Sequence, residues 1–481
     1  MVAGKAISQD VLNLSLKQTI SMAKENSLEA FRSKNMYLAG YWEHRSYRAA
    51  RLPSVVLELT PARYNRNFIK RYDSNNDYDV YREQKMFSAA GGFNIVQNFD
   101  LLGGTFYMNS NIEYLRNFGD YMFTQYSTIP FRIGYSQNTI GFNPFRWDRK
   151  IEPLKFEKAK KEYLYNTENI AEKAVRFFFS LALADAEYKL AKKNKAKADT
   201  LYAIGEERKK IAGIQETELL TLKLDKINSK NSLENAAILR KRAMQDLAVF
   251  LDMDKDTQIK IDIPKLIREF DIPIDRALGY AKENNHKYIE NKVNILKARK
   301  SLSKAKVESF ANVKFNASVG FNQVADNFKN TIKDPLRQDL VMVSLSVPLI
   351  DWGVRKGKKN MARSNLNIQE YAAKQTEINI EKEIIVTIED FLLQKNLLIT
   401  AQEALDIANI VYEQTNQRFI IGKADVNSIT LATNRLAEAQ RNFIIAENKY
   451  WMNYYKIRKL TLYDFENNIS LSRDFDFKHG L

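Results

Sequence analysis

The chain contains a long internal repeat. Residues 167–251 align with residues 376–460 at a constant offset of 209 and without a gap. Matched pairs along this alignment include Glu168 with Glu377, Leu183 with Leu392, Gly213 with Gly422, and Leu251 with Leu460. A shorter repeat precedes each copy, because the tetrapeptide Ala-Lys-Glu-Asn at residues 23–26 returns at residues 281–284. Self-similarity on this scale predicts two similar structural halves packed about a pseudo-symmetric axis.

The residue types argue against catalytic chemistry. The chain has no cysteine, so disulfides, thiolate metal sites and cysteine nucleophiles are excluded. Its three histidines, His44, His286 and His479, lie far apart in the sequence, so we predict no metal site. Neither a glycine-rich phosphate loop nor a nucleophile elbow occurs. We therefore predict a protein that is not an enzyme and has no cofactor.

The net charge of +16 does not by itself indicate a nucleic-acid partner. Lysines alternate with acidic residues within helical segments, as in residues 157–162, and this pattern is typical of a solvated helix face. No recognised nucleic-acid-binding signature occurs, so we predict no nucleic-acid partner. No apolar run approaches the ~18 to 20 residues of a transmembrane helix, and residues 1–5 lack the apolar core of a signal peptide.

The distribution of proline and glycine predicts long helices. No proline occurs in residues 154–263 or in residues 349–481, and glycine is rare in both stretches. Proline and glycine destabilise helix interiors by about 3 and about 1 kcal/mol. Each stretch is therefore predicted to form two long helices, with the break at Gly213 or Gly422. The first helix, roughly residues 157–212, would be ~80 Å long at 1.5 Å per residue, so it needs coiled-coil-like neighbours.

Other segments alternate between apolar and polar residues, as strands do. Four such segments are clear, beginning at Val55, Phe131, Val313 and Val341. Segments of about ten residues with one apolar face fit transmembrane β-strands, and they also fit an ordinary half-buried sheet. Residues 61–130 are extra material in the first half, rich in Tyr, Phe, Asn and Gly, with two further alternating runs. These runs form either two more strands or a long surface hairpin.

Several local sequences together resemble one family. They are an opening helix from Leu14 to Asn26, Ala-Ala-Arg-Leu-Pro at residues 49–53, Val-Pro-Leu-Ile-Asp-Trp-Gly at residues 347–353, and Arg-Phe-Ile-Ile-Gly at residues 418–422. Residues 143–153 replace the usual strand exit in the first half. This ordered set, together with the repeat, resembles the TolC-type outer-membrane factors of the outer membrane efflux protein family. The resemblance covers nearly the whole chain.

The resemblance implies a mixed α and β membrane protein: a homotrimeric transmembrane β-barrel continuous with a long periplasmic α-helical barrel, with two structural repeats per chain. It implies a passive conduit for efflux or type I secretion, located in the outer membrane of a Gram-negative bacterium and extending into the periplasm. The expected partners are a periplasmic adaptor (membrane fusion) protein, an inner-membrane transporter and outer-membrane lipid. The absence of a signal peptide is then interpreted as processing to a mature form.

The expected domain organisation follows the repeat. Residues 1–250 form the first repeat, with an opening helix, barrel strands that include the 61–130 insert, and a long helical hairpin at 154–251. Residues 251–272 form a connecting, equatorial segment. Residues 273–462 form the second repeat, with barrel strands at 312–348 and a helical hairpin at 354–460. Residues 463–481 form a C-terminal tail.

The two hairpin turns, residues 211–217 and 421–427, are the expected gate. Relatives carry aspartates six and nine residues after the glycine of the second turn, where this chain has Ser428 and Leu431. The chain therefore departs from the family at this point, and we predict Asp425, three residues after Gly422, as the acidic residue of the constriction; the alternative is that Asp425 caps the following helix. The other gate or selectivity candidates are Glu216, Glu218, Lys423 and Arg418. Adaptor docking is expected at the helix-turn tips, at Gly213, Ile214, Gly422 and Ala424.

A soluble coiled-coil scaffold is the alternative function. It would explain the long helices and the charge, but it leaves the alternating segments and the aromatic insert unexplained. The sequence does not identify the exported substrate, the state of the gate, or whether each chain contributes four or six strands.

Overall fold

The computed structural model describes residues 12–73, 77–118, 122–210, 215–263, 270–421, 423–424 and 426–472. The first half begins with strand β1 (Leu12–Ser15) and helices α1 (Leu16–Asn26) and α2 (Leu28–Ala49). Four strands follow: β2 (Ser54–Asp73), β3 (Tyr78–Phe99), β4 (Gly104–Asn117) and β5 (Phe123–Gln137). Two long helices, α3 (Pro144–Lys210) and α4 (Glu216–Phe250), complete this half.

The second half repeats this order with fewer strands. After strand β6 (Ile259–Asp262), its elements are α5 (Ile274–Asn284), α6 (His286–Glu308), β7 (Asn312–Ala325), β8 (Leu336–Ser346), α7 (Val354–Ile420) and α8 (Val426–Thr461). Two short strands, β9 (Tyr463–Asp464) and β10 (Ile469–Ser470), follow. Helices α3 and α7 each have 67 residues, and α1 and α5 each have 11. The sequence repeat is therefore also a repeat of elements.

Two predicted helix starts were wrong. The first long helix begins at Pro144 rather than near residue 157, and it contains Pro153. Its early turns are held by packing, because Ile151 is buried against Ile289 and Val293 of α6, and such packing outweighs the loss of one backbone hydrogen bond. At the N-terminus, Leu14 lies in β1, and α1 begins only after Ser15. Ser15 forms a capping box with Gln18, which fixes that start.

The chain divides into two compact units that each contain parts of both repeats. The helical unit comprises residues 1–39, 158–288 and 375–481, and the sheet unit comprises residues 40–157 and 289–374. Among the residues that the structure describes, no helix is long and apolar enough to cross a membrane.

The sheet unit contains one antiparallel sheet of six strands in the order β2-β3-β4-β5-β7-β8. The two alternating runs within residues 61–130 therefore form strands of the same sheet, β3 and β4, and not a separate surface hairpin. In the described part of the chain, this sheet therefore has six strands and not four. Within the described residues, β2 and β8 are the edges, and neither has a further partner strand.

The register gives the sheet one mainly apolar face, interrupted by Asp339 on β8, and one mainly polar face, interrupted by Val56 on β2. A row that crosses five strands on one face is Val55, Ile95, Met108, Ile133 and Val319. The adjacent row on the opposite face is Asn94, Asn109, Arg132, Gly320 and Gln338. The apolar face is open to the surroundings, since Leu57 on β2 is 53% exposed and Val343 on β8 is 64% exposed. The alternation of apolar and polar residues in the sequence therefore places most apolar side chains on one face of the sheet and most polar side chains on the other.

The helical unit has two apolar clusters. One is built around Phe178 of α3 and Leu247 of α4, and the other around Phe391 of α7 and Tyr450 of α8; each of these side chains is at most 1% exposed. Strand β1 pairs in parallel with β6 beside the first cluster, and its Leu14 is buried there. The first cluster also includes Ile444 of α8, so the second hairpin packs against the core of the first.

A buried ion-pair network joins α3 to α8 in the helical unit. The guanidinium of Arg458 donates through Nε to Oε2 of Glu168 at 2.9 Å and through Nη1 to the carboxylate of Asp464. Lys24 on α1 donates to Oε1 of Glu168 at 2.6 Å, and the Tyr454 hydroxyl donates to Asp464 at 2.7 Å. The side chains of Glu168, Asp464 and Arg458 are only 4%, 8% and 12% exposed. Burial raises the pKa of Asp464, but the charge of Arg458 and the hydrogen bonds from Tyr454 and Asn467 together outweigh this and leave the pKa below its ordinary value.

The repeated tetrapeptide makes an equivalent contact in each half. Lys24 pairs with Glu168 on α3, and Lys282 on α5 pairs with Glu381 on α7 at 2.8 Å. Glu381 corresponds through the 209-residue offset to Glu172, which lies one helical turn after Glu168. The short helix before each sheet segment is thus attached by the same kind of ion pair to the long helix that follows.

Replacing Arg458 with Met should strongly destabilise the helical unit. It would leave the buried Asp464 without its cation and Glu168 with only Lys24, and breaking a buried ion pair by removing one partner costs about 3–5 kcal/mol. Thermal unfolding followed by circular dichroism in detergent would measure the loss. The matched control is Arg299→Met, because the pair of Arg299 with Glu370 has side chains 53% and 44% exposed and should contribute under about 1 kcal/mol. Equal losses in both variants would contradict the role of burial.

Helix α8 also carries a buried acid outside this network. Glu447 is 2% exposed, and among the described residues its Oε2 has no hydrogen-bond partner. It lies one turn from the buried Ile444 and Tyr450. Burial raises the pKa of Glu447 to about 8, so the carboxyl is protonated in the folded protein at neutral pH.

Glu447 should make stability fall as the pH rises. Between its ordinary pKa of 4.5 and its folded value of about 8, the folded state binds a proton that the unfolded state has released. The free energy of unfolding should therefore decrease by roughly 1.4 kcal/mol per pH unit at most in this window. Glu447→Gln should remove that decrease, as measured by melting temperatures at pH 5, 6.5 and 8. The exposed Glu438→Gln on the same helix should leave the slope unchanged, and an unchanged slope in Glu447→Gln would refute the assignment.

Candidate functional site at the two hairpin turns

The two long hairpins turn between Lys210 and Glu216 and between Ile420 and Val426. Of the residues predicted to form the gate and docking tips, Gly213, Ile214, Gly422 and Asp425 lie outside the described residues. Glu218 lies in α4, but its side chain is likewise outside what the structure describes. The described candidates are Glu216, Arg418, Lys423 and Ala424.

At the first turn, the described charges are engaged with one another. Lys209 near the end of α3 donates to Oε1 of Glu216 at 3.2 Å, across the turn. The ammonium of Lys226 on α4 lies 4.7 Å from the centre of the Tyr202 ring. The Tyr202 hydroxyl donates to Glu206, and this bond raises the pKa of Tyr202. These cations are therefore occupied by partners within their own hairpin.

At the second turn, helices α7 and α8 enclose an open cavity of about 440 Å³. The chain is held there by a backbone hydrogen bond in which the Lys423 N–H donates to the Arg418 carbonyl at 2.7 Å. The cavity is lined by Val411, Thr415, Arg418, Lys423, Ala424, Ser428, Leu431, Ala432 and Arg435.

Helical spacing explains why these side chains converge. On α7, Val411, Thr415 and Arg418 follow one another at four and three residues, so they share a face. On α8, Ser428 and Arg435 are seven residues apart and also share a face. Both arginines consequently point into the same groove, where the small side chains Ala424 and Ala432 leave room.

Three of the predicted site residues, Arg418, Lys423 and Ala424, line this one cavity. Glu216 lies at the other turn and does not line it. Arg435 was missed by the sequence reasoning, although its position one heptad after Ser428 on the helix following the turn is a usable signal. An acidic constriction was predicted at Asp425; the described charged side chains that line the cavity are instead three cations.

Crystal structures of outer-membrane channels share this fold. The CmeC outer membrane channel of Campylobacter jejuni matches with a TM-score of 0.67 at 14% identity, over 96% of this chain and 90% of that one. A membrane protein from Pseudomonas aeruginosa matches with a TM-score of 0.64 at 12% identity, over 94% and 91%. The outer membrane protein VceC of Vibrio cholerae matches with a TM-score of 0.63 at 13% identity, over 93% and 95%. The fold class is therefore that of outer-membrane channels.

Part of the chain is also similar to a known protein family in sequence. Residues 278–461 match the family model described as outer membrane efflux protein. The segment includes most of the second repeat and the whole second turn. The predicted resemblance to TolC-type outer-membrane factors is thus confirmed: the chain carries an outer membrane efflux protein domain on the fold of outer-membrane channels. A comparison with curated protein sequences found no significant match.

Proposed function

We propose that this chain is one protomer of a trimeric export channel of the outer membrane, for efflux or type I secretion. The trimer is a passive conduit across the outer membrane and the periplasm. Energy comes from an inner-membrane transporter, joined through a periplasmic adaptor that docks at the helix-turn tips around Gly213, Ile214, Gly422 and Ala424. The family consists of channel proteins and not enzymes, which is consistent with the prediction that no catalytic chemistry occurs.

The six-stranded sheet is the observation that carries this proposal. One of its faces is an exposed apolar band, and the described part of the chain leaves both β2 and β8 unpaired at the edges. In lipid, a sheet must close so that every backbone N–H and C=O group is hydrogen-bonded. Other copies of the chain satisfy both edges if β8 of one protomer pairs with β2 of the next. Three copies of six strands give an eighteen-stranded barrel, which is within the range of known outer-membrane barrels.

The soluble scaffold is the weaker alternative. It accounts for the long helices, but it leaves a six-strand apolar face in water, and contiguous exposed apolar patches of this kind mark membrane or protein contacts. The polar face, with Asn94, Asn109 and Arg132, suits the water-filled interior of a barrel.

The proposal is tested by the mass and conductance of the purified protein. In detergent, native mass spectrometry should give a trimer of about 167 kDa, three times the 55.8 kDa chain, and planar bilayers should show discrete conductance steps. A monomer or dimer that stays soluble without detergent would refute the channel and support the scaffold.

Adjacent residues on β8 separate the lipid face from the interior. Val343→Arg adds a charge to the apolar face and should reduce the yield of trimer folded in liposomes at least tenfold, because arginine at the bilayer midplane costs about 2–4 kcal/mol. Ser344→Arg, its neighbour on the polar face, is the matched control and should fold with nearly wild-type yield. Heat-modified mobility on gels measures the folded fraction. If both variants fold equally well, β8 does not face lipid.

Asp425 remains the proposed acidic residue of the constriction. Asp425→Ala should shift the selectivity of the channel away from cations, because it removes one carboxylate per protomer from the local potential at the turn. The measurement is the reversal potential across a salt gradient in planar bilayers. Glu438→Gln, which removes a carboxylate further along α8, is the control. An unchanged reversal potential in Asp425→Ala would remove this residue from the gate.

A further inference from the structure

The cavity at the second hairpin turn combines three cations with apolar walls. Arg418 at the end of α7, Lys423 in the turn and Arg435 on α8 all line it. No ion pair is formed by any of the three with another described residue. Leu431, which is 52% exposed, and the buried Ala432 form its apolar side.

The internal repeat supplies a comparison within the same chain. Through the offset of 209, Arg418 and Arg435 correspond to Lys209 and Lys226 at the first turn. There, Lys209 pairs with Glu216 and Lys226 lies over the Tyr202 ring. The cations at the first turn are therefore satisfied inside their own hairpin.

The second turn lacks most of these internal partners. Val411 and Thr415 stand where the first turn has Tyr202 and Glu206, so the ring and one carboxylate are gone. Asp425 corresponds to Glu216 and lies outside the described residues. Even with Asp425 counted as an anion, the three cations exceed the acidic charge by two. A surplus of cations in one concave site creates a positive local potential that favours the binding of an anion.

We propose that this cavity is a binding site for a small polyvalent anion that carries carboxylate or phosphate groups. Two arginines on facing helices offer planar forks that bind such groups through paired hydrogen bonds, and Lys423 adds a compact charge. The Thr415 hydroxyl is a further donor on the same face of α7. The volume of about 440 Å³ lies within the range of small-molecule sites. The assignment does not depend on the channel proposal, because binding is a property of the purified protein.

Citrate is a suitable probe because its three carboxylates match the three cations. Isothermal titration calorimetry with the full-length protein in detergent, at constant ionic strength, should show saturable binding of one citrate per chain. Acetate at the same ionic strength should bind at least tenfold more weakly, since it carries a single carboxylate. Citrate affinity should also fall as the salt concentration is raised.

Arg435→Gln should weaken citrate binding at least tenfold, and Arg418→Gln combined with Arg435→Gln should abolish it. Arg441→Gln is the matched control: it removes one positive charge from the same helix, but Arg441 pairs with Glu187 and does not line the cavity. It should bind citrate like the wild type. Circular dichroism and the elution volume of each variant verify that it is folded.

Three results would overturn the site: no saturable citrate binding by the wild type, unchanged binding in Arg435→Gln, or an equal loss in Arg441→Gln. The last result would mean that citrate binding depends only on the net charge of the protein. None of these results bears on the trimer mass or on conductance, so the failure of this site and the failure of the channel proposal are distinguishable.

Discussion

The ion pair between Arg458 and Glu168 fixes how the two halves of the helical unit meet. Apolar packing already resists a shift of one helix along another, and a buried charge that leaves its partner adds the cost of staying desolvated without its counter-charge. The register set there continues along the same two helices, because Arg441 meets Glu187 and Lys197 meets Thr430 further toward the turns. The relative position of α3 and α8 is thus determined at the buried end, and the remaining contacts follow from it.

The two copies of the repeat have similar helices but different numbers of strands, and this difference has a physical reason. A long helical hairpin is stabilised along its length by the neighbouring hairpin, so both copies keep the same lengths. A sheet that presents a wide apolar face needs additional strands, and the first half supplies them as β3 and β4. The turns differ in another way: the lengths of the helices that flank them repeat, whereas the charges of the residues there do not. The positions where the copies diverge are therefore the ones free to acquire a separate role.

How much the sequence could predict depends on the range of the interactions. The absence of proline and glycine predicted the long helices, and their ends at Lys210 and Ile420 fall beside the predicted breaks. The early start of α3 was missed because Pro153 is tolerated through the packing of Ile151, which no local pattern reveals. The pairing of β1 with β6 joins two four-residue segments that are distant in the chain. At the site, Arg418 and Lys423 were predicted because they lie at or beside the turn. Arg435 was missed because it lines the cavity only when α8 packs against α7.

The contrast between the turns bears on how a channel of this kind responds to its surroundings. At the first turn, Lys209 and Glu216 belong to one hairpin, so a movement of that hairpin as a rigid body leaves their contact intact. At the second turn, the cations face a cavity, and any anion that binds there contacts both α7 and α8. Such an anion can stabilise one arrangement of the second hairpin over another, but only to the extent that its affinity for the two arrangements differs. Under the proposed function, the second hairpin is therefore the one in which external charge can change the arrangement of the two helices at the turn.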